Sequence, residues 1–125
     1  MVKSAAILFG IVFLAVGILG FVPGITNDQM LLGIFHVNAA HNFVHLASGV
    51  VFLLCGMAGA GPSSTVFKIF GIVYALVAIM GFLHMGQDTN LLGLVSNNDA
   101  DTWLHVVLAL AMLYLGFLAR ERATA

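Results

Sequence analysis

The sequence is poor in charged residues. Only 7% of its 125 residues are Asp, Glu, Lys or Arg, whereas 62% are hydrophobic. A water-soluble domain carries about 25% charged residues, so this chain has too few to cover a surface in water. The net charge of -1 includes no basic excess, which argues against a nucleic-acid partner. The composition therefore predicts an integral membrane protein whose main partner is the lipid bilayer.

Groups that would support catalysis are also scarce. The single cysteine excludes an intrachain disulfide framework. The sequence offers no nucleophile–base pair, no glycine-rich phosphate loop and no basic nucleotide site. The apolar runs also lack the carboxylates near the midplane that ion-coupled transporters use. We therefore expect no enzyme activity.

Four long apolar runs are present, at residues 4–22, 42–60, 66–85 and 102–119. Each is close to the ~20 residues that a helix needs to cross a bilayer. Helices are required because lipid offers no hydrogen-bond partner to open backbone groups. We predict an all-α integral membrane fold, a four-transmembrane-helix bundle forming a single membrane domain over residues 1–125. Residues 59–64 should form a tight turn between the second and third helices.

The two halves of the sequence resemble each other. Three patterns recur at nearly constant spacing: FGIV at 9–12 and 70–73, LLG at 31–33 and 91–93, and the histidines His45 and His105. We interpret the chain as two tandem helical-hairpin repeats, over about residues 4–60 and 65–120. Because each repeat holds two passes, both copies enter the membrane in the same direction. This predicts parallel repeats about an axis along the membrane normal.

Small residues predict where the helices pack, since lipid removes the hydrophobic drive between them. Two stripes stand at helical spacing: Ala6, Gly10 and Gly17 on the first helix, and Gly71, Ala75 and Ala78 on the third. We expect these stripes to meet near the pseudo-two-fold axis.

The basic residues predict the orientation. All four fall on one side of a four-pass topology: Lys3, Lys68, Arg120 and Arg122. Cytoplasmic segments carry the excess of Lys and Arg, so both termini are expected in the cytoplasm.

Five histidines carry the candidate chemistry: His36, His41, His45, His84 and His105. His41 and His45 are four residues apart on the second helix and so share a face. Asp101 and His105 repeat that spacing on the fourth helix. His84 ends the third helix on the same side of the membrane.

A ligand site is one interpretation of these residues, because imidazole binds transition metals and haem iron. The candidate ligands of haem or another tetrapyrrole are His45, His105, His41 and Asp101. The candidate ligands of a transition metal are His41, His45, His84 and His105. A protein that used them would have a redox role.

A structural polar cluster is the other interpretation. His45 and His105 lie near helix starts, where they could hydrogen-bond to each other or to loop carbonyls. Asn38, Asn42 and Ser48 extend the polar stripe, and Asn42 or Asp101 could serve as an N-cap. Tyr74 is interpreted as a packing aromatic without a titratable partner. The sequence leaves both interpretations open.

Two segments resemble the signature of a known family: GIFHVNAAHNFVHL at residues 33–46 and DTWLHV at residues 101–106. The chain resembles, over nearly its whole length, a small bacterial membrane family catalogued as domain of unknown function 4383. The resemblance implies a four-pass bundle in the bacterial inner membrane. It marks as the polar core Asn38, His41, Asn42, His45 and His105. It implies no activity, cofactor or partner.

Together these features favour a small structural or accessory subunit that associates with copies of itself or with a larger membrane complex. A histidine-based cofactor protein is the alternative.

Overall fold

The computed structural model describes residues 1–84, 89–91 and 95–119. Over these ranges it is mostly helical, with four α-helices: α1 (Val2–Leu19), α2 (Ala39–Ala58), α3 (Ala60–Leu83) and α4 (Asp99–Leu113). α4 continues into a π-helical turn, Tyr114–Leu118. Each helix, with that turn added to α4, is long and apolar enough to cross a membrane. The prediction of four such helices is confirmed.

The turn between α2 and α3 is shorter than predicted. Gly59 alone separates the two helices, with a φ of 136° that side-chain-bearing residues rarely adopt. Pro62 lies in the first turn of α3, where its missing N–H breaks no helical hydrogen bond. α3 therefore begins at Ala60, and Lys68 lies inside the helix rather than at its start. Its amine is 5.6 Å from the centre of the Phe117 ring.

The connections at the opposite end contain short strands that the all-α prediction did not include. The first connection forms a three-stranded antiparallel sheet: β1 (Thr26–Asn27), β2 (Met30–Leu31) and β3 (Phe35–His36). The second forms an antiparallel pair, β4 (Thr89–Leu91) and β5 (Val95–Asn97). These ladders pair backbone groups that would otherwise be unsatisfied next to the bilayer. We call this end of the bundle, where α2 and α4 begin, the histidine end.

Helix pairing is strongest within each half of the chain, α1 against α2 and α3 against α4. A Cβ atom placed on Gly10 would lie 2.8 Å from the backbone nitrogen of Leu53 in α2. One placed on Gly71 would lie 3.0 Å from the backbone nitrogen of Leu113 in α4. The prediction that the small-residue stripes of the first and third helices meet each other is therefore wrong. They allow each helix to approach its own hairpin partner.

Aromatic rings fill the space between α1 and α3. The Phe9 and Phe67 ring centres are 5.0 Å apart, and those of Phe13 and Tyr74 are 5.9 Å apart. Phe52 of α2 is fully buried against this group. The two hairpins are thus joined in the membrane interior by an apolar core.

The structure describes two of the four basic residues from which the orientation is predicted. Arg120 and Arg122 lie outside the described residues. Lys3 and Lys68 are exposed and lie towards the end opposite the histidine end.

We predict that Gly49→Ala lowers the free energy of unfolding by about 1–3 kcal/mol, as overpacking in a close contact does. A Cβ atom at Gly49 would lie 2.8 Å from the backbone nitrogen of Leu14 and 2.9 Å from the carbonyl oxygen of Gly10. Reversible unfolding in mixed micelles, followed by circular dichroism, measures the change. Gly61→Ala in α3 is the matched control, because the space around it is open. Equal stability of the two variants would contradict the packing described.

Candidate functional site

Asparagine caps organise the histidine end. Asn38 precedes α2, and its side-chain oxygen accepts a hydrogen bond from the backbone N–H of His41 at 2.8 Å. Asn98 precedes α4 and accepts in the same way from Asp101 at 2.9 Å. Such caps satisfy N–H groups that the first helical turn leaves open. The alternative that placed the caps at Asn42 and Asp101 is wrong.

Asp101 connects the two hairpins. Its Oδ2 atom accepts a hydrogen bond from the backbone N–H of Asn98 at 3.0 Å, which completes a capping box. The same oxygen accepts from the backbone N–H of His36 in the first connection at 3.1 Å. The Asn98 amide donates to the carbonyl of Ile34 at 3.0 Å. We call these two cross-hairpin bonds the clasp; they attach the first connection to the start of α4.

Three of the predicted site histidines come together beneath the clasp. The Nε2 atoms of His41 and His45 are 3.0 Å apart, and their stacked rings have centres 4.8 Å apart. The ring centre of His105 is 6.2 Å from that of His41. All three side chains are buried, with at most 5% of their surface exposed. We call His41, His45 and His105 the histidine cluster.

The other two histidines lie elsewhere. His84 is exposed at the C-terminal cap of α3, and the structure does not bring it into the cluster. His36 is half-buried in β3, with its Nε2 atom 3.3 Å from the side-chain oxygen of Gln29.

Aromatic rings from α1 and α3 pack against the histidine cluster. Phe13 packs edge-on against His45 with ring centres 5.4 Å apart, and Tyr74 packs edge-on against His105 at 5.5 Å. Tyr74 is also hydrogen-bonded to the side chain of Ser48. Tyr74 packs in the core, as predicted, and its hydrogen bond with Ser48 is a contact that the sequence did not predict. The signal for Tyr74 was its place on the buried face of α3, between Gly71 and Ala78.

The cluster leaves hydrogen-bonding capacity unused. The Nδ1 atoms of His45 and His105 are buried and, within the described residues, have no hydrogen-bond partner. A buried polar atom without a partner costs about 1–3 kcal/mol. Such atoms are rare in folded proteins and require an explanation, for which a bound water or ion is one candidate.

A family model described as "Domain of unknown function (DUF4383)" matches residues 3–118. The chain belongs to this family. No curated protein and no solved structure matches the chain. The suspected family is thus confirmed for this DUF4383 chain, and membership brings no assigned activity.

Three features of the DUF4383 chain bear on the predicted ligands. Among the described residues, no group of three or more His, Cys, Asp or Glu side chains is placed to hold a metal ion. A groove of about 230 Å³ between α1 and α4 is lined only by Leu8, Phe9, Val12, Phe13 and Leu108, and it presents no iron ligand. Asp101, predicted as a possible ligand, instead accepts two backbone N–H bonds through Oδ2.

We predict that Asp101→Ala lowers the free energy of unfolding by about 1–3 kcal/mol, because it leaves the amides of Asn98 and His36 without their acceptor. Asp99→Ala is the comparison variant, because this exposed carboxylate lies in the same first turn of α4 but is not part of the clasp. Unfolding curves in the same micelles give both values. An Asp101→Ala variant as stable as the parent protein would contradict the clasp.

Proposed function

We propose that this DUF4383 chain is a small, non-enzymatic structural or accessory subunit of the bacterial inner membrane, working in a homo-oligomer or a larger membrane complex. One observation carries the proposal. The buried polar side chains at the histidine end mostly contact one another or the caps and connections of the chain itself. The outward faces of the four helices are mostly apolar, so most of the surface that remains for contacts lies in the bilayer.

The extent of that apolar surface supports a subunit role. One leucine on each helix illustrates it: Leu8 is 59% exposed, Leu54 60%, Leu76 56% and Leu110 64%. Lipid can cover such side chains, but so can the helices of another membrane protein, through van der Waals packing. The described chain adds only short connections outside the helices. Lateral contact is therefore the principal way for it to act on a partner.

Two tandem parallel hairpins form the proposed architecture of the subunit. The contacts within the first half are matched by contacts at equivalent positions in the second half. Gly10 lies near Leu53 in the first half, and Gly71 lies near Leu113 at the equivalent place in the second half. In the same way, the Gly20–Asn42 contact corresponds to Gly81–Thr102, and the Gly56–Ile7 contact corresponds to Gly116–Lys68. The matched pairs support repeats over about residues 4–60 and 65–120.

Exposed aromatic pairs support the proposed depth in the membrane. Phe21 packs against Phe43 at 5.5 Å, and Phe82 against Trp103 at 5.2 Å, both at the histidine end. Trp103 is 55% exposed, and tryptophan concentrates at membrane–water interfaces. We place the histidine end at the outer interface, with both termini in the cytoplasm.

Cysteine labelling tests this topology. In a Cys55→Ala background, Asp99→Cys should react with a membrane-impermeant maleimide on the outer face, and Gly61→Cys only from the cytoplasmic face. Both positions are exposed and lie at opposite ends of the bundle. Labelling of both cysteines from the same side would contradict the four-pass topology.

Native mass spectrometry in mild detergent tests the subunit role. We expect species heavier than the 13.2 kDa chain, either multiples of its mass or assemblies with a second membrane protein. Raising the detergent concentration should dissociate them, because lateral contacts compete with detergent. A lone monomer under the mildest conditions, with no co-purifying membrane protein, would overturn the proposal.

A further inference from the structure

We infer that a groove between α3 and α4 holds one acyl chain of a phospholipid from the leaflet next to the histidine end. The groove has a volume of about 210 Å³ and is lined by apolar residues. Its lining includes Ala75, Ala78 and Phe82 of α3 and Val106, Ala109 and Leu113 of α4. The inference concerns a lipid ligand and goes beyond the subunit role, although it uses the tandem repeats proposed above.

The first half of the chain shows how such a groove is closed. A Cβ atom placed on Gly49 would lie 2.8 Å from Cγ of Leu14, and one placed on Gly17 would lie 2.8 Å from Cγ of Leu46. The two leucine side chains therefore fill the space between α1 and α2. The two glycines let the opposite backbones come close to them.

The second half has different residues at the equivalent positions. Ala75 and Val106 stand in place of the two leucines, so less side-chain volume fills the space. Ala78 and Ala109 stand in place of the two glycines, and a methyl group at each limits the approach of the backbones. All of these residues line the groove, so these sequence differences between the halves explain why it is open.

The dimensions of the groove fit an alkyl chain better than a helix. From Ala75 to Phe82 it follows about 10 Å of α3, at 1.5 Å per residue. An alkyl chain is one carbon wide, so with carbon contacts at about 3.5–4.0 Å a length of about 10 Å fills roughly 150–200 Å³. A helix with its side chains is about 10 Å across and needs several times that volume. The rim residues Ile79 and Leu110 are 56% and 64% exposed, so the groove is open to lipid tails.

An aromatic pair lies at the end of the groove nearest the histidine end. Phe82 lines the groove, and Trp103 packs edge-on against Phe82 with ring centres 5.2 Å apart. Trp103 is 55% exposed, and its indole N–H is a donor at the depth where tryptophan meets the membrane interface. The ester carbonyls of a phospholipid are acceptors at that depth. A lipid tail in the groove therefore places its ester group beside the indole.

Tryptophan fluorescence tests the inference, because Trp103 is the one tryptophan in the sequence. The delipidated full chain in detergent is titrated with phosphatidylcholine that carries brominated acyl chains, which quench tryptophan on contact. We expect quenching that saturates at one lipid per chain and that unbrominated phosphatidylcholine reverses. Quenching that rises without saturation in the parent protein would contradict a site in the groove.

The double variant Ala75→Leu/Val106→Leu places leucines where the first half has them and so fills the groove. It adds no polar group, and thermal unfolding checks that it is folded. The filled variant should need at least about tenfold more lipid for the same quenching, because its added methyl groups occupy the space of the acyl chain. Val73→Leu/Val107→Leu is the matched control and should titrate as the parent does. These two valines are 45% and 62% exposed and lie outside the groove lining.

Native mass spectrometry of the parent protein distinguishes the possible occupants. We expect each chain to retain one phospholipid in any assembly, and the filled variant to lose it. Equal quenching of the parent and the folded filled variant would overturn the inference. So would a dimer that the filled variant loses while neither protein retains lipid, since a second copy would then occupy the groove. A lone chain with one bound lipid would contradict the subunit role and support the lipid site.

Discussion

The close approach of helix backbones at glycines is the contact on which the rest of the structure depends. Lipid surrounds the helices with a solvent as apolar as their own side chains, so burial of apolar surface gives little drive for association. Van der Waals packing must therefore hold the helices together, and two backbones come closest where no Cβ atom lies between them. Gly10 and Gly49 bring α1 against α2 in this way, and Gly71 and Gly116 bring α3 against α4. These contacts fix the register of each hairpin, and the register brings Phe13 level with His45.

At the histidine end, hydrogen bonds from polar groups also determine how the two hairpins meet. A backbone amide left open near lipid is costly, so the start of each helix must find acceptors. Asn38 and Asn98 supply them locally, and Asp101 extends the same chemistry to the neighbouring hairpin by accepting from His36. The apolar core joins the hairpins without directional preference, whereas hydrogen bonds of defined geometry hold one loop on one helix start. The clasp therefore determines how the two halves meet at this end.

The sequence was informative wherever a single helix decides the outcome. Run length predicted the helices, and the four-residue spacing of His41 and His45 predicted their shared face. Contacts between helices were harder, because they depend on a register that no local pattern encodes. The small-residue stripes were assigned to the wrong neighbours for this reason, and the hydrogen bond between Tyr74 and Ser48 was not predicted. The start of α3 was missed because Pro62 resembles a turn residue, although the first turn of a helix tolerates it. The short strands depend on pairing across a loop and had no periodic signal.

The histidine cluster combines packing between helices with polar atoms that this packing leaves unpaired. The ring of His105 packs against His41 of α2 and Tyr74 of α3, so that α2, α3 and α4 meet in one layer. If cohesion were the only demand, apolar side chains of similar volume would meet it without unpaired nitrogens. Yet, within the part of the chain that the structure describes, the Nδ1 atoms of His45 and His105 are buried without a hydrogen-bond partner. The layer thus retains nitrogen atoms beyond those its packing uses, on side chains from two helices that face one another.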